Sequence, residues 1–389
     1  MKISRRLTTF AAATAAVALV ATGCSKSDDN ATPAPTSTST SVESSVSAPE
    51  TSAPDTSAPD TSAPDTSAPD TSASGEAPTG TVEKASKDFK IAYVPKLQGV
   101  PYFEAMNKGG AKAATDLGIT WLYQGPTAAD ASAQADVVRS FIQQKVDALF
   151  VAPNDPDSMA PVLQEAATAG IKVGTADTDA PDSVREVFVN QASEQAIGEG
   201  LTDALAKAMG EKGSYAIVSC GETAANLNAW IAVQKEYAAS KYPDMKLIDV
   251  VYAGEDQAKA TAMATDLMNA NPDLTGLVGE CTSSAPGVAE AVRNADKIGT
   301  VFTVGLGTPQ SMKPYLLDGS SSASILWNVE NLGYLTAWAG VQLAEGKEFA
   351  ATNYVNADLP AVEYDATNKQ LLLGPALQIT KENVDQFDY

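Results

Sequence analysis

Short apolar segments alternate with longer amphipathic segments through most of this chain, and this alternation restricts the fold more than any other feature. The first series of apolar segments reads FKIAYVP, TWLYQG, VDALFVA and IKVGTA, and helices are predicted between them at about 101–117, 130–144 and 156–169. Strands that are apolar on both faces are typical of parallel sheets that helices cover on each side. The first series therefore predicts a doubly wound sheet.

A second series of the same kind follows. Its strands read GSYAIVSC, KLIDVVYA, LTGLVGE and IGTVFTVG, with helices predicted at about 192–210, 223–240, 256–270 and 282–295. We therefore predict an α/β protein with two doubly wound parallel-sheet lobes.

The first 24 residues have the composition of an export signal. Lys2, Arg5 and Arg6 precede a small apolar run that is too short to span a bilayer and that leads to Cys24. The Ala-Thr-Gly before this cysteine is similar to a bacterial lipobox. We predict a signal peptide with a lipobox at residues 1–24 and a lipidated Cys24 that anchors the protein to the outer face of the cell membrane. Plain secretion with a free thiol is the alternative.

Residues 25–85 are rich in Ser, Thr, Pro, Ala and Asp, and TSAPD is repeated four times between Thr51 and Asp70. Such a segment has almost nothing to bury, its carboxylates repel one another and its prolines favour extended conformations. We predict a disordered, solvated tether that holds the folded part away from the membrane. A glycosylated, mucin-like stalk has the same composition.

Charge and composition exclude several classes of function. The chain has 48 acidic and 26 basic residues, a net charge of -22, and no histidine. Nucleic acids and anionic membranes would repel such a protein, so no nucleic-acid partner is expected. Without imidazole there is no Ser-His-Asp or Cys-His nucleophile and no histidine-dependent zinc site. We expect no cofactor and no metal.

Polar and aromatic side chains follow several predicted strands at their carboxyl ends, where doubly wound sheets bind ligands. Lys96 follows the first strand and residues 177–179 follow the fourth, whereas residues 222–230 and 280–282 follow the first and third strands of the second series. Carboxylates and amides bind hydroxyl pairs, and aromatic faces cover the apolar side of a sugar ring. The residues at this edge of the sheets therefore predict a site for a polyol ligand.

Six segments resemble the autoinducer-2-binding and rhamnose-type periplasmic binding proteins: IAYVPKLQGVPYFEAMNKG, GPTAADASAQADVV, DTDAPDSV, VNQASEQAIG, VGLGTPQSMKPYL and LWNVENLG. The resemblance extends from about residue 88 to Tyr389. It implies a type I substrate-binding protein, similar in fold to ribose-binding protein, with two lobes joined by a three-strand hinge and a ligand in the cleft between them.

The resemblance also implies how the lobes divide the chain. We expect an N-terminal lobe of residues 86–182 and about 326–350, and a C-terminal lobe of residues 183–325 and about 351–389. A monomer of this kind captures a small sugar or polyol by hinge closure and delivers it to the permease of an ABC importer. The alternatives are an autoinducer-2-type sensor that presents its ligand to a receptor and, more distantly, a glycoside hydrolase with paired carboxylates.

The predicted ligand-binding residues are Lys96, Tyr102, Phe103, Asp177, Asp179, Asn226, Asn228, Glu280, Trp327 and Asn328. Structural roles remain open for most of them: a surface position for Lys96, a helix-start contact for Tyr102 and Phe103, capping for Asp177, Asn226 and Asn228, an ion pair with Lys96 for Glu280, and hinge packing for Trp327 and Asn328.

The specificity of the autoinducer-2 proteins does not transfer to this chain. Those proteins contact their ligand with a lysine, an aspartate, an Asp-Gln pair and a Pro-x-Ala triplet. Lys96 and Asp177 match, but Asn226-Leu227 replaces the Asp-Gln pair and residues 280–282 read Glu-Cys-Thr. A sugar or another small polyol is therefore the expected ligand.

Two cysteines remain once Cys24 is assigned to lipid. Cys220 and Cys281 follow the first and third strands of the second series. In the usual 2-1-3-4-5 strand order these strands are neighbours, so the two α-carbons approach the roughly 5.5–6 Å that a disulfide needs. We predict a disulfide between them, which an extracytoplasmic location permits. Two buried free thiols are the alternative.

Overall fold

The computed structural model describes residues 80–389. The predicted signal peptide, Cys24 and all but the last residues of the predicted tether lie outside this range. In the described part of the chain, no helix is both long and apolar enough to cross a membrane.

The first sheet has eight strands in the order β11-β12-β13-β5-β4-β3-β1-β2. Its parallel strands are β1 (Lys90–Val94), β2 (Thr120–Tyr123), β3 (Ala148–Val151), β4 (Lys172–Ala176) and β5 (Val187–Asn190), connected by α1 (Pro101–Leu117), α2 (Ala131–Gln144) and α3 (Pro156–Thr168). Three short strands extend the sheet beyond β5: β11 (Thr352–Asn353), β12 (Val362–Asp365) and β13 (Gln370–Leu372).

The second sheet has six strands in the order β14-β10-β9-β8-β6-β7. Its parallel strands are β6 (Gly213–Ser219), β7 (Met245–Tyr252), β8 (Leu274–Gly279), β9 (Phe302–Gly305) and β10 (Ala323–Leu326), and β14 (Leu377–Ile379) is antiparallel at the edge. The helices of this lobe are α4 (Glu194–Met209), α5 (Ala225–Lys241), α6 (Gln257–Ala270), α7 (Ser284–Asn294) and α8 (Pro309–Asp318). The prediction of an α/β fold with two parallel-sheet lobes is confirmed.

The last helix, α9 (Val329–Ala344), returns the chain to the first lobe and packs against α1. Glycines bring the two helices together, because a Cβ atom at Gly109 would overlap the backbone of Glu330 and one at Gly333 would overlap the backbone of Met106. The chain passes between the two sheets three times, after β5, after β10 and after β13.

The predicted lobe boundaries were wrong at two places. Residues 187–190 and the strands within 352–372 belong to the first sheet, although we expected 183–325 and about 351–389 in the second lobe. No helix separates β4 from β5 or lies among β11, β12 and β13, so these strands lack the strand–helix alternation that revealed the others. Pairing of β13 with β5 also covers an edge that would otherwise be open to other chains.

Candidate functional site

A small cavity of about 40 Å³ lies between the carboxyl ends of the strands of both sheets. We refer to it as the cleft cavity. It is lined by Lys96, Tyr102, Phe103, Asp177, Asn226, Leu227, Trp230, Glu255, Cys281, Thr282, Leu306, Leu326 and Trp327. The first lobe contributes residues that follow β1 and β4, the second lobe contributes residues that follow β6, β7, β8 and β9, and Leu326 and Trp327 lie at the end of β10.

Lys96 contacts both lobes from the loop after β1. Its side chain is buried, and Nζ donates a hydrogen bond of 2.9 Å to Oδ1 of Asn226 at the start of α5. Nζ also lies 3.9 Å from Oδ2 of Asp177, in its own lobe. An ammonium group has three donor hydrogens, so donor capacity remains for a ligand hydroxyl.

Asp177 is held in a conformation that few side chains adopt. Its φ is 69°, in the left-handed region that aspartate tolerates better than most residues. The buried carboxylate accepts hydrogen bonds from the Tyr102 hydroxyl at 2.6 Å and from Oγ1 of Thr178 at 3.1 Å. These contacts fix the carboxylate at the cavity wall, which is where backbone strain is commonly retained for function.

Tyr102 links this carboxylate to an aromatic wall. Burial, together with the nearby charge of Asp177, raises the pKa of Tyr102 well above its ordinary value, so the phenol keeps its proton and donates to Asp177. Its oxygen accepts a hydrogen bond of 3.2 Å from Nε1 of Trp327. The ring centroids of Tyr102 and Trp327 are 5.9 Å apart, and those of Trp230 and Trp327 are 5.8 Å apart. Aromatic faces from both lobes therefore flank the cavity.

Glu255 is a cavity residue that the sequence analysis missed. It lies in the loop after β7, and its carboxylate accepts a hydrogen bond of 3.1 Å from Oγ of Ser283. Burial raises its pKa, an effect that the ammonium of Lys96 partly opposes. The available signal was an acidic residue at the carboxyl end of the second strand of the second series, an end that the sequence analysis did not consider.

Glu280 does not line the cavity, contrary to the prediction. Its side chain is fully buried and accepts hydrogen bonds at 2.7 Å from Nε2 of Gln234, on α5. Burial raises the pKa of Glu280 to about 8. The proposed ion pair with Lys96 is also not formed among the described residues. Cys281 and Thr282, the next two residues of the loop after β8, line the cavity instead.

Three other predicted residues lie outside the cavity and have local partners. The carboxylate of Asp179 binds Arg185, with an Nε to Oδ1 distance of 2.5 Å, and accepts from Oγ1 of Thr175 at 2.6 Å. Asn228 donates to the backbone oxygen of Glu222, and Asn328 caps α9 by accepting from the backbone nitrogen of Asn331. These contacts explain their positions without a ligand.

Cys220 and Cys281 are paired in a disulfide at the ends of the adjacent strands β6 and β8. Their α-carbons are 6.1 Å apart. Because Cys281 lines the cavity, the bridge forms part of its wall on the side of the second lobe.

Comparison with known proteins identifies the architecture that carries this site. The sequence profile of the periplasmic binding protein domain matches residues 91–348. The chain belongs to this family. Members of it bind substrates and are not enzymes, so the glycoside hydrolase alternative is set aside.

The similarity extends to characterised relatives and solved structures. The D-ribose/D-allose-binding protein of Pseudomonas aeruginosa is 30% identical over 224 residues, which are 55% of this chain and 67% of the relative. LsrB from Clostridium saccharobutylicum in complex with AI-2 superimposes with a TM-score of 0.73 at 25% identity, covering 77% of this chain and 100% of LsrB. A Clostridium phytofermentas solute-binding protein with bound L-rhamnose superimposes with a TM-score of 0.72 at 28% identity, covering 77% of this chain and 98% of that protein.

The positions transferred from the autoinducer-2 proteins can now be located in this family member. Lys96, Asp177, Asn226 and Leu227 line the cavity, as do Cys281 and Thr282 of the triplet that was expected to contact ligand. Of the residues predicted individually, six line the cavity: Lys96, Tyr102, Phe103, Asp177, Asn226 and Trp327.

Proposed function

We propose that this protein captures a small sugar or polyol by closing its two lobes around it and delivers the ligand to an ABC importer. The observation that carries the proposal is the hydrogen bond between Lys96 and Asn226, which joins the lobes inside a cavity lined by residues of both. A ligand that contacts both lobes at once favours the closed arrangement, because it binds the closed form more tightly than the open one.

The chemistry of the cavity supports a polyol ligand. Asp177 and Glu255 supply acceptors, Lys96 supplies donors, and the amide of Asn226 supplies both. The faces of Trp230 and Trp327 suit the apolar C–H side of a sugar. The relatives named above bind ribose or allose, L-rhamnose and AI-2, all of which are small and rich in oxygen.

A second contact between the lobes supports closure. Oγ1 of Thr223, before α5, donates a hydrogen bond of 3.1 Å to the backbone oxygen of Asn154, after β3. With a cavity of about 40 Å³, far below the roughly 300–1,000 Å³ of typical ligand pockets, a ligand enters only when the lobes separate.

The export signal, the lipidated Cys24 and the tether complete the proposal by placing the two lobes outside the cell membrane, where a permease receives the ligand. Delivery to a sensory receptor is the competing hypothesis, because a receptor and a permease would both recognise the closed form.

A thermal-shift screen tests the proposed ligand class. The panel contains D-ribose, D-allose, D-xylose, L-rhamnose, L-arabinose, xylitol and autoinducer-2. At least one sugar or polyol should raise the melting temperature in proportion to occupancy, because a ligand that binds only the folded state stabilises it. A panel without any shift, at concentrations up to several millimolar, would contradict the proposal. A response to autoinducer-2 alone would favour the signal-binding alternative.

A further inference from the structure

A second groove lies next to the cleft cavity, beside the first crossing between the lobes. Its volume is about 610 Å³, and the residues of its wall that matter here are Asn190, Ser193, Gln195, Asn368 and Gln370. We refer to it as the hinge groove. Asp177, Asn226 and Trp230 line both the hinge groove and the cleft cavity. These three residues therefore form a wall that the two spaces share.

Asn190 indicates that the hinge groove receives a polar ligand. The residue is only 8% exposed and lines the groove, and its side-chain amide forms no hydrogen bond with any residue in the range 80–389. This amide is therefore free to donate to and accept from ligand hydroxyls. Gln370, on β13, also lines the groove, and its amide is likewise unpaired in the described part of the chain.

The remaining chemistry of the groove matches that of the cleft cavity. Its wall carries carboxamide, hydroxyl and carboxylate groups, and the aromatic rings of Phe188 and Trp230 line it as well. The carboxylate of Asp179 at its edge is neutralised by the guanidinium of Arg185. Amides next to aromatic faces are suited to a second sugar ring, as carboxylates and aromatic faces are to the first.

The hinge groove has room for a second sugar unit. Its volume of about 610 Å³ lies within the roughly 300–1,000 Å³ of typical ligand pockets, whereas the cleft cavity of about 40 Å³ must widen to hold the first unit. We propose that the hinge groove is a second subsite that holds the second sugar unit, or the aglycone, of a glycoside whose first unit lies in the cleft cavity. This inference rests on the proposed function, which it extends from monosaccharides to glycosides.

Isothermal titration calorimetry with matched ligands tests the inference. The probes are D-ribose, D-xylose and D-glucose, together with methyl β-D-ribofuranoside, xylobiose, cellobiose and maltose. For the sugar that the cavity accepts, the glycoside or disaccharide should bind at least about tenfold more tightly than the free monosaccharide, through added hydrogen bonds in the groove. A two-unit ligand that binds no more tightly, or is excluded, while the monosaccharide binds would overturn the inference and leave the proposed function intact.

Variants test whether the higher affinity of the two-unit ligand comes from contacts in the groove. Asn190→Ala and Gln370→Ala should each weaken binding of the two-unit ligand by about tenfold and leave monosaccharide binding within about twofold. Asn294→Ala, at an exposed amide on α7 outside the groove, is the matched control and should change neither affinity. Gln370 is less buried than Asn190, so it keeps the test valid if Asn190→Ala fails to fold. Equal loss of both ligands, or no loss of either, would overturn the assignment, and failure of every sugar to bind would contradict the proposed function as well.

Discussion

Lys96 forms a hydrogen bond to Asn226 in the second lobe while it faces the carboxylate of Asp177 in the first lobe. A buried ammonium needs such partners, because desolvation is costly unless the charge is paired. We expect Lys96→Met and Asp177→Asn each to weaken binding of the sugar found in the screen by roughly 1.5–3 kcal/mol, the contribution of a charge-assisted hydrogen bond. Asparagine is chosen at position 177 because it tolerates the positive φ.

Calorimetric titration measures these losses, with circular dichroism to verify that each variant is folded. Asp266→Asn is the matched control, since Asp266 is exposed on α6 and lines neither the cleft cavity nor the hinge groove. Wild-type affinity in both Lys96→Met and Asp177→Asn would contradict the site assignment.

The sequence located some residues at the cavity, whereas the position of others depends on side-chain direction. Lys96 and Asp177 follow strands that the sequence reveals clearly, and both line the cavity. Glu280 and Cys281 are adjacent, and only the three-dimensional direction of each side chain shows that the cysteine faces the cavity while the glutamate binds Gln234. No pattern in a single sequence contains that direction.

At the scale of elements, the end of β8 carries a buried carboxyl group whose ionisation affects stability. Burial raises the pKa of Glu280 from 4.5 to about 8, so between these pH values the folded chain holds a proton that the unfolded chain has released. The resulting stabilisation is complete below about pH 4.5 and is lost as the pH rises through about 8.

Glu280→Gln removes this titration and keeps an acceptor for Gln234. We expect the variant and the wild type to have similar free energies of unfolding at pH 4.5. As the pH rises, the wild type should lose stability relative to the variant, by at most about 1.4 kcal/mol per pH unit. Urea unfolding at pH 4.5, 6.5 and 8.5 measures the difference. Equal dependence on pH in both proteins would show that Glu280 does not titrate in this range.

The ends of β6 and β8 carry the cysteine bridge. We expect alkylation under denaturing, non-reducing conditions to leave Cys220 and Cys281 unmodified, because their α-carbons are 6.1 Å apart and the proposed location permits oxidation. Mass spectrometry of the alkylated protein, with a reduced sample as control, measures this. Two alkylated thiols within residues 80–389 would contradict the bridge.

Element prediction succeeded where the chain repeats a long pattern. The strands and helices of both series were predicted within a few residues, because short apolar segments alternate there with amphipathic segments of helical length. β5 and β11–β13 were not assigned to the first sheet, because their pairing depends on contacts between segments distant in the chain.

At the scale of the whole molecule, the proposed function depends on two lobes that close on a ligand. In this proposal the contacts between Lys96 and Asn226 and between Thr223 and Asn154 belong to the closed arrangement and break when the lobes separate. Sequence comparison identified this architecture because the resemblance extends over nearly all of the folded part. It did not identify the ligand, because four of the six transferred contact positions carry different residues.

The most direct test of the central claim is a distance measured between the lobes with and without sugar. Asp157, at the start of α3, and Glu222, before α5, are both exposed and lie in opposite lobes near the mouth of the cleft. Spin labels on cysteines introduced at these positions, with the Cys220–Cys281 bridge intact, allow the distance distribution to be measured by double electron–electron resonance. We expect the sugar that raises the melting temperature to shift the distribution to shorter and narrower distances, and Lys96→Met to reduce that shift. An unchanged distribution at saturating sugar would contradict capture by lobe closure.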